Sequence, residues 1–130
     1  MNAIQPSNPK AMLWSGRALT FLIVAMLTFS AAMKFSMIED VTKEFTRLGY
    51  QQNVIIAIGV AELACAVIYL IPQTAILGAI LLTGYLGGAI ATHVRVGDFF
   101  IGPAVGGVLV WLAIFLREPR LRRLIPLRSA

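Results

Sequence analysis

Any chemistry in this chain starts from Glu62, the one carboxylate inside a long apolar run. It lies eight residues after Val54, about 12 Å along a helix at 1.5 Å per residue, and so near the middle of a hydrocarbon layer. An ionised carboxylate is costly there, which leaves it two states: paired with a cation, or protonated and donating a hydrogen bond. Candidate partners close the neighbouring runs, Lys34 after the first and His93 and Arg95 after the third. Tyr85 falls at nearly the depth of Glu62 and is the best-placed neutral partner. Gly59 and Ala66 flank Glu62 at helical spacing and allow another backbone to approach, which turns the carboxylate inward. On the third run Gly84, Gly88, Ala91 and Arg95 share one stripe. A groove of small residues leading to a cation either holds the Glu62 helix or admits a flat ligand such as a quinone head group.

The elements that must position these residues follow from composition. Of 130 residues, 58% are hydrophobic and only 13% charged, with a mean hydropathy of +0.82. Soluble domains carry about one quarter charged residues, so the composition departs from that of a solvent-facing globule. The net charge of +5 comes from basic residues that flank apolar runs, not from a basic face with stacking aromatics, so the pattern is not that of a nucleic-acid binder. The expected partner is a lipid bilayer. One Cys and one His exclude an intramolecular disulfide, a CxxC pair, a Cys/His zinc site and a bis-His haem. No metal ligand set and no cofactor motif is present in the chain, and any redox chemistry borrows its cofactor from outside.

Four apolar runs, 19–33, 54–71, 75–91 and 101–116, are each long enough for a membrane helix of about 15 to 20 residues. They predict an all-α four-helix transmembrane bundle forming one domain over 1–130, with spans at about 18–34, 53–71, 74–94 and 101–117. The first run also reads as a signal peptide, since Lys10 and Arg17 precede an apolar core ending at Ser30-Ala31-Ala32; an uncleaved first span is the reading taken. Ser36 and Glu39 have capping-box spacing, Ile38, Val41, Phe45 and Leu48 repeat at helical spacing, and Gly49 supplies a stop. This predicts a short amphipathic interfacial helix over about 37–48, either a lid on the bundle end or a plain connector.

The connection around Pro72-Gln73-Thr74 makes the second and third spans an antiparallel hairpin. In the third connection Gly97 is a candidate C-cap and Asp98 a candidate N-cap for the last helix, with Pro103 as the rival start. Lys10, Arg17, Arg117, Arg120, Arg122, Arg123 and Arg128 collect on one side, and Lys34, Lys43, Arg47 and Arg95 on the other. The positive-inside rule then places both termini in the cytoplasm, with a basic tail over 117–130 that anchors topology or lies on anionic lipid.

Taken singly, most of these residues have plainer roles. Gly84-x-x-x-Gly88 and Gly102-x-x-x-Gly106 are common helix-packing signals, and Gly59 and Gly87 read the same way. Lys34 and Arg95 have the snorkelling role open to them, and Cys65 reads as a small core residue. Glu62 alone leans functional.

The strings Leu48-Gly49-Tyr50, Ile58-Gly59-Val60-Ala61-Glu62-Leu63, Ile71-Pro72, Leu77-Gly78-Ala79-Ile80-Leu81-Leu82-Thr83-Gly84-Tyr85-Leu86-Gly87-Gly88-Ala89 and Ala91-Thr92-His93-Val94-Arg95-Val96-Gly97 closely resemble the DoxX-like family of small four-helix bacterial membrane proteins. The resemblance spans about 20–116. It implies location in the bacterial inner membrane and an association with redox chemistry, since the name-giving members are subunits of a membrane thiosulfate:quinone oxidoreductase. The family's intramembrane Glu falls on Glu62, its Lys after the first helix on Lys34, and its Thr-His-x-Arg on Thr92, His93 and Arg95. Gln51 and Phe99 stand where the family pattern has proline, which puts loop geometry in question rather than the polar set.

Two functions are carried forward. One is a redox-associated membrane component in which Lys34, Glu62, Tyr85, Thr92, His93 and Arg95 form a quinone-interacting cluster, with electrons supplied by a partner subunit or a reduced small molecule. The other is a non-enzymatic assembly or binding module, or a small proton-coupled carrier that requires a homo-oligomer because four helices are few for a monomeric transporter.

Overall fold

The computed structural model describes residues 8–128, and among these every regular element is helical. The elements are α1 (Lys10–Ser36), α2 (Glu39–Arg47), α3 (Gln52–Leu70), α4 (Ala75–Arg95) and α5 (Ile101–Arg117), with 3-10 turns at Pro72–Thr74 and Leu121–Arg123. Helix α1 starts well before its apolar run, because Pro9 precedes an unbroken stretch of helix formers, Lys10-Ala11-Met12-Leu13. It ends at Met37, whose left-handed φ of 51° turns the chain toward α2.

Helix α1 packs on α3 and α5, and α4 packs on the same two. On α3 the inward face reads Ile55, Gly59, Glu62, Ala66 and Tyr69, alternating steps of four and three, and all five are buried. Glu62 is thus set in the middle of a core stripe by the helical repeat itself. Tyr69 donates its hydroxyl to the Val110 carbonyl at 2.8 Å, which satisfies the one polar atom that its burial takes out of solvent.

Three glycines set the helix spacings. A Cβ on Gly16 would stand 2.8 Å from the Ala113 carbonyl oxygen, one on Gly59 would stand 2.9 Å from Phe35 Cε1 and 3.2 Å from Lys34 Cβ, and one on Gly78 would stand 2.4 Å from the Tyr69 backbone nitrogen. The packing role expected at Gly84, Gly87, Gly88 and Gly102 is not found among the described residues, where a Cβ on any of them would meet nothing within 4 Å, and Gly106 has only ordinary contact with Leu86 at 3.6 Å. The face that α4 presents to its neighbours is chosen by Ala75, Gly78, Ala79 and Leu82, which are buried. The stripe through Gly84, Gly88, Ala91 and Arg95 is rotated away from it and exposed.

The exterior is apolar, with Trp14, Phe21, Met26, Phe29, Val60, Ile80 and Val108 all more than half exposed. Three helical stretches, Lys10–Ser36, Gln52–Leu70 and Pro72–Arg95, are long and apolar enough to cross a membrane, and α5 is a shorter apolar helix of 17 residues.

The connections differ in detail from expectation. The Ser36 hydroxyl donates back to the Met33 carbonyl at 2.6 Å, so no capping box forms, and Ile38 is the N-cap of α2 without a side-chain cap. Gly49 and Gly97 take positive φ, 91° and 77°, as helix stops require. Neither Asp98 nor Pro103 begins the last helix: Asp98 pairs with Arg47, Phe100 is the N-cap, and Pro103 lies within the first turn. The tail expected at 117–130 folds back as far as it is described, its last two residues lying outside the described range. Leu121 is buried, and the Arg122 guanidinium donates to the Phe115 and Leu116 carbonyls at 3.4 and 3.3 Å and to Asn8 Oδ1 at 2.9 Å, satisfying carbonyls that the end of α5 leaves open.

Candidate functional site

Burial of Glu62 requires a partner, and the structure supplies a cation. Lys34 Nζ lies 2.7 Å from Glu62 Oε2, with the lysine 12% and the carboxylate 3% exposed. Ser30, one turn before Lys34 on α1, completes the arrangement: its Oγ accepts from Lys34 Nζ at 2.7 Å and donates to Glu62 Oε2 at 3.2 Å. The close approach of α1 and α3 at Gly59 brings the three groups together. Charge-assisted bonds of this length offset the loss of hydration that each ion would otherwise suffer.

This pair forms part of the wall of a partly open cavity of about 520 Å³ between α1, α3, α4, α5 and α2. Its apolar lining includes Phe45, Leu48, Ile58 and Leu86, and its polar lining includes Tyr85, Thr92 and His93. Gly84 and Gly88 border it too, and the missing side chains leave room where a helix contact was expected. Tyr85 stands within electrostatic reach of the Glu62 carboxylate, but the ion pair is made by Lys34. His93 Nδ1 lies 2.7 Å from the Ala89 carbonyl. A carbonyl only accepts, so Nδ1 carries the proton, and in the neutral ring Nε2 is an acceptor. Thr92 hydrogen-bonds the Tyr50 hydroxyl at 2.8 Å, joining α4 to the segment after α2.

Arg95 is the one member of the expected cluster that does not line the cavity. Its guanidinium donates to the Leu48 carbonyl at the end of α2 and covers Gly49, so it fastens α2 in place. Helix α2 covers the cavity through Phe45, whose ring centroid lies 5.9 Å from Lys34 Nζ and 5.8 Å from that of Tyr50. A second fastening is the Arg47 guanidinium, which bonds Glu44 at 2.5 and 3.0 Å and also bonds Asp98 in the connection before α5. Hydrogen bonds from Arg47 hold both carboxyls below the ordinary carboxylate range, and the same bonds raise the Arg47 pKa.

Sequence reasoning missed Ser30, Phe45 and Tyr50 as site residues. Ser30 had a legible signal, four residues before Lys34 and so on the same helix face. Phe45 was read only as part of an apolar stripe, and the Tyr50 contact with Thr92 spans 42 residues, beyond any local pattern. Cys65 is a free thiol, partly buried and not part of the cavity wall. Among the described residues no group of three His, Cys, Asp or Glu stands close enough to hold a metal ion.

No curated protein and no solved structure matches the chain. The model of the DoxX-like family matches residues 18–116, a stretch that includes the Lys34–Glu62 pair, the α2 cover and the cavity wall. With that match and three helices long and apolar enough to cross a bilayer, the chain belongs to the DoxX-like family and is a multi-pass membrane protein.

Proposed function

We propose that the protein is a quinone-interacting, redox-associated component of the bacterial inner membrane, built as a four-helix bundle with both termini in the cytoplasm. The single observation that carries this reading is a buried Lys34–Glu62 ion pair on the wall of a lidded, mostly apolar cavity. Small-molecule sites have this character, some 300 to 1,000 Å³ of apolar wall with a few convergent polar groups. A quinone head group is flat and apolar apart from two carbonyl oxygens. Lys34 and Tyr85 are donors for such oxygens, and His93 Nε2 is an acceptor for the hydroxyl of the reduced form. Electrons come from a partner subunit or a reduced small molecule, and the chain's own residues bind the ligand, exclude water and exchange protons. Orientation rests on the basic residues, which gather at the α1 start and α5 end.

The test is mass spectrometry of an organic extract from mildly purified wild-type protein, beside Glu62→Gln, the apolar pair Lys34→Met/Glu62→Leu and an unrelated membrane protein of similar size. The expected result is near-stoichiometric quinone in wild type and its loss in both variants. Equal trace quinone in all four samples refutes the reading and favours the assembly or carrier function.

A further inference from the structure

A second cavity, of about 340 Å³, lies at the opposite end of the helices. Arg17 on its wall and Lys34 in the first site are 17 residues apart on α1, about 26 Å of helix. Its polar lining is Arg17, Gln73, Arg117 and Glu118. The contact at Gly16 creates the arrangement: α1 and α5 approach so closely that a Cβ there would stand 2.9 Å from Arg117 Cβ, which brings Arg117 to the same wall as Arg17, within electrostatic reach of its charge.

Two like charges on one wall with a single carboxylate are not balanced within the cavity. Glu118 is partly engaged, its Oε1 accepting from the Arg120 backbone N–H at 3.1 Å. Arg117 faces the Tyr69 ring at 5.7 Å, yet its Nη2 is buried with no hydrogen-bond partner among the described residues. A buried guanidinium N–H without an acceptor is an exception in folded proteins and carries a desolvation cost. Planar guanidinium forks match the oxygens of phosphate, and Gln73 adds an amide donor. We infer that Arg17, Arg117 and Gln73 form a binding site for a phosphate-type anion.

The same chemistry has two sources. Arg17 lies 5.1 Å from the ring of exposed Trp14, and a tryptophan beside cations marks a membrane–water boundary, where anionic phospholipid headgroups lie. Inorganic phosphate offers the same oxygens from the aqueous side.

The experiment uses the full chain in a non-ionic detergent, with phosphatidylglycerol, phosphatidylcholine and inorganic phosphate as separate probes and native mass spectrometry plus calorimetric titration as readouts. The variants are Arg17→Gln, Arg117→Gln and a tail control, Arg120→Gln/Arg128→Gln. Binding of phosphatidylglycerol or of phosphate should weaken at least tenfold in each site variant and less than twofold in the tail control. Arginine-dependent binding of phosphatidylglycerol alone identifies a lipid headgroup, and arginine-dependent binding of inorganic phosphate identifies the free anion; both support the site. Equal binding by wild type and the site variants, or loss only in the tail control, overturns it. Arg17 is exposed, so Arg17→Gln carries the test if Arg117→Gln fails to fold.

Discussion

Replacing Lys34 by Met at constant Glu62 is the sharpest perturbation of the first site. It removes the 2.7 Å cation contact and leaves a 3% exposed carboxylate with the neutral Ser30 hydroxyl at 3.2 Å and Tyr85 within electrostatic reach. Breaking one member of a buried ion pair costs about 3 to 5 kcal/mol, whereas replacing both by apolar residues of similar volume is neutral or stabilising by about 1 to 4 kcal/mol. Lys34→Met and Glu62→Leu should therefore each destabilise by about 3 kcal/mol or more, and the double variant should return to within about 1 kcal/mol of wild type, a strong coupling of the two sites. Reversible unfolding in mixed micelles against the mole fraction of an anionic detergent, followed by the fluorescence of Trp14 and Trp111, measures all four proteins. Single variants that each lose less than about 1 kcal/mol and add without coupling would show that solvent reaches the pair. The double variant also separates fold from ligand, because it keeps the core and removes the charges that face the cavity.

Other outcomes follow from the fastenings and the close contacts. Arg95→Ala frees the Leu48 carbonyl and uncovers Gly49, so amide hydrogen exchange across α2 should speed several-fold while α3 is unchanged; uniform acceleration would contradict a local role. Glu44 and Asp98 have depressed pKa values because Arg47 bonds both. Their contribution is present above the ordinary carboxylate range and is lost as pH falls below about 4, so protection of α2 should drop in that window and Arg47→Gln should abolish the pH dependence. Gly78→Ala would place a methyl 2.4 Å from the Tyr69 backbone and should cost at least the 1 to 3 kcal/mol typical of overpacking, measured in the same detergent titration. Gly88→Ala, in open space, should leave stability within about 0.5 kcal/mol yet weaken retention of any extracted quinone. Equal stability losses at the two glycines would refute the assigned packing.

How the sequence relates to the structure is clearest in Glu62. Its burial was legible, because Gly59 and Ala66 recur around it at steps of three and four and a helix must place such residues on one face. The choice of partner was not. Lys34, His93 and Arg95 at the ends of neighbouring runs and Tyr85 at nearly the same depth were all candidates, and the packing of α1 on α3 is what brings Lys34 into the ion pair. The covering helix shows the same division: its apolar stripe predicted an amphipathic element, but the Ser36–Glu39 capping box does not form, and the fastenings to Asp98 and from Arg95 join residues about 50 positions apart.

The glycines mark the boundary between what each level of organisation decides. Sequence alone determined that the chain is helical, apolar and built around one carboxylate inside an apolar run, since hydropathy and helical period are local properties. It could not decide which glycines lie in contacts, because spacing groups residues on a face without saying which way the face turns. Rotation of a helix about its axis and its shift along a neighbour come from side-chain interdigitation with other helices. Those two quantities put Gly16, Gly59 and Gly78 at the close approaches and open the cavity beside Gly84 and Gly88. They also move Arg95 from the cavity to the fastening of α2 and bring Arg17 and Arg117 to one cavity wall at the other end.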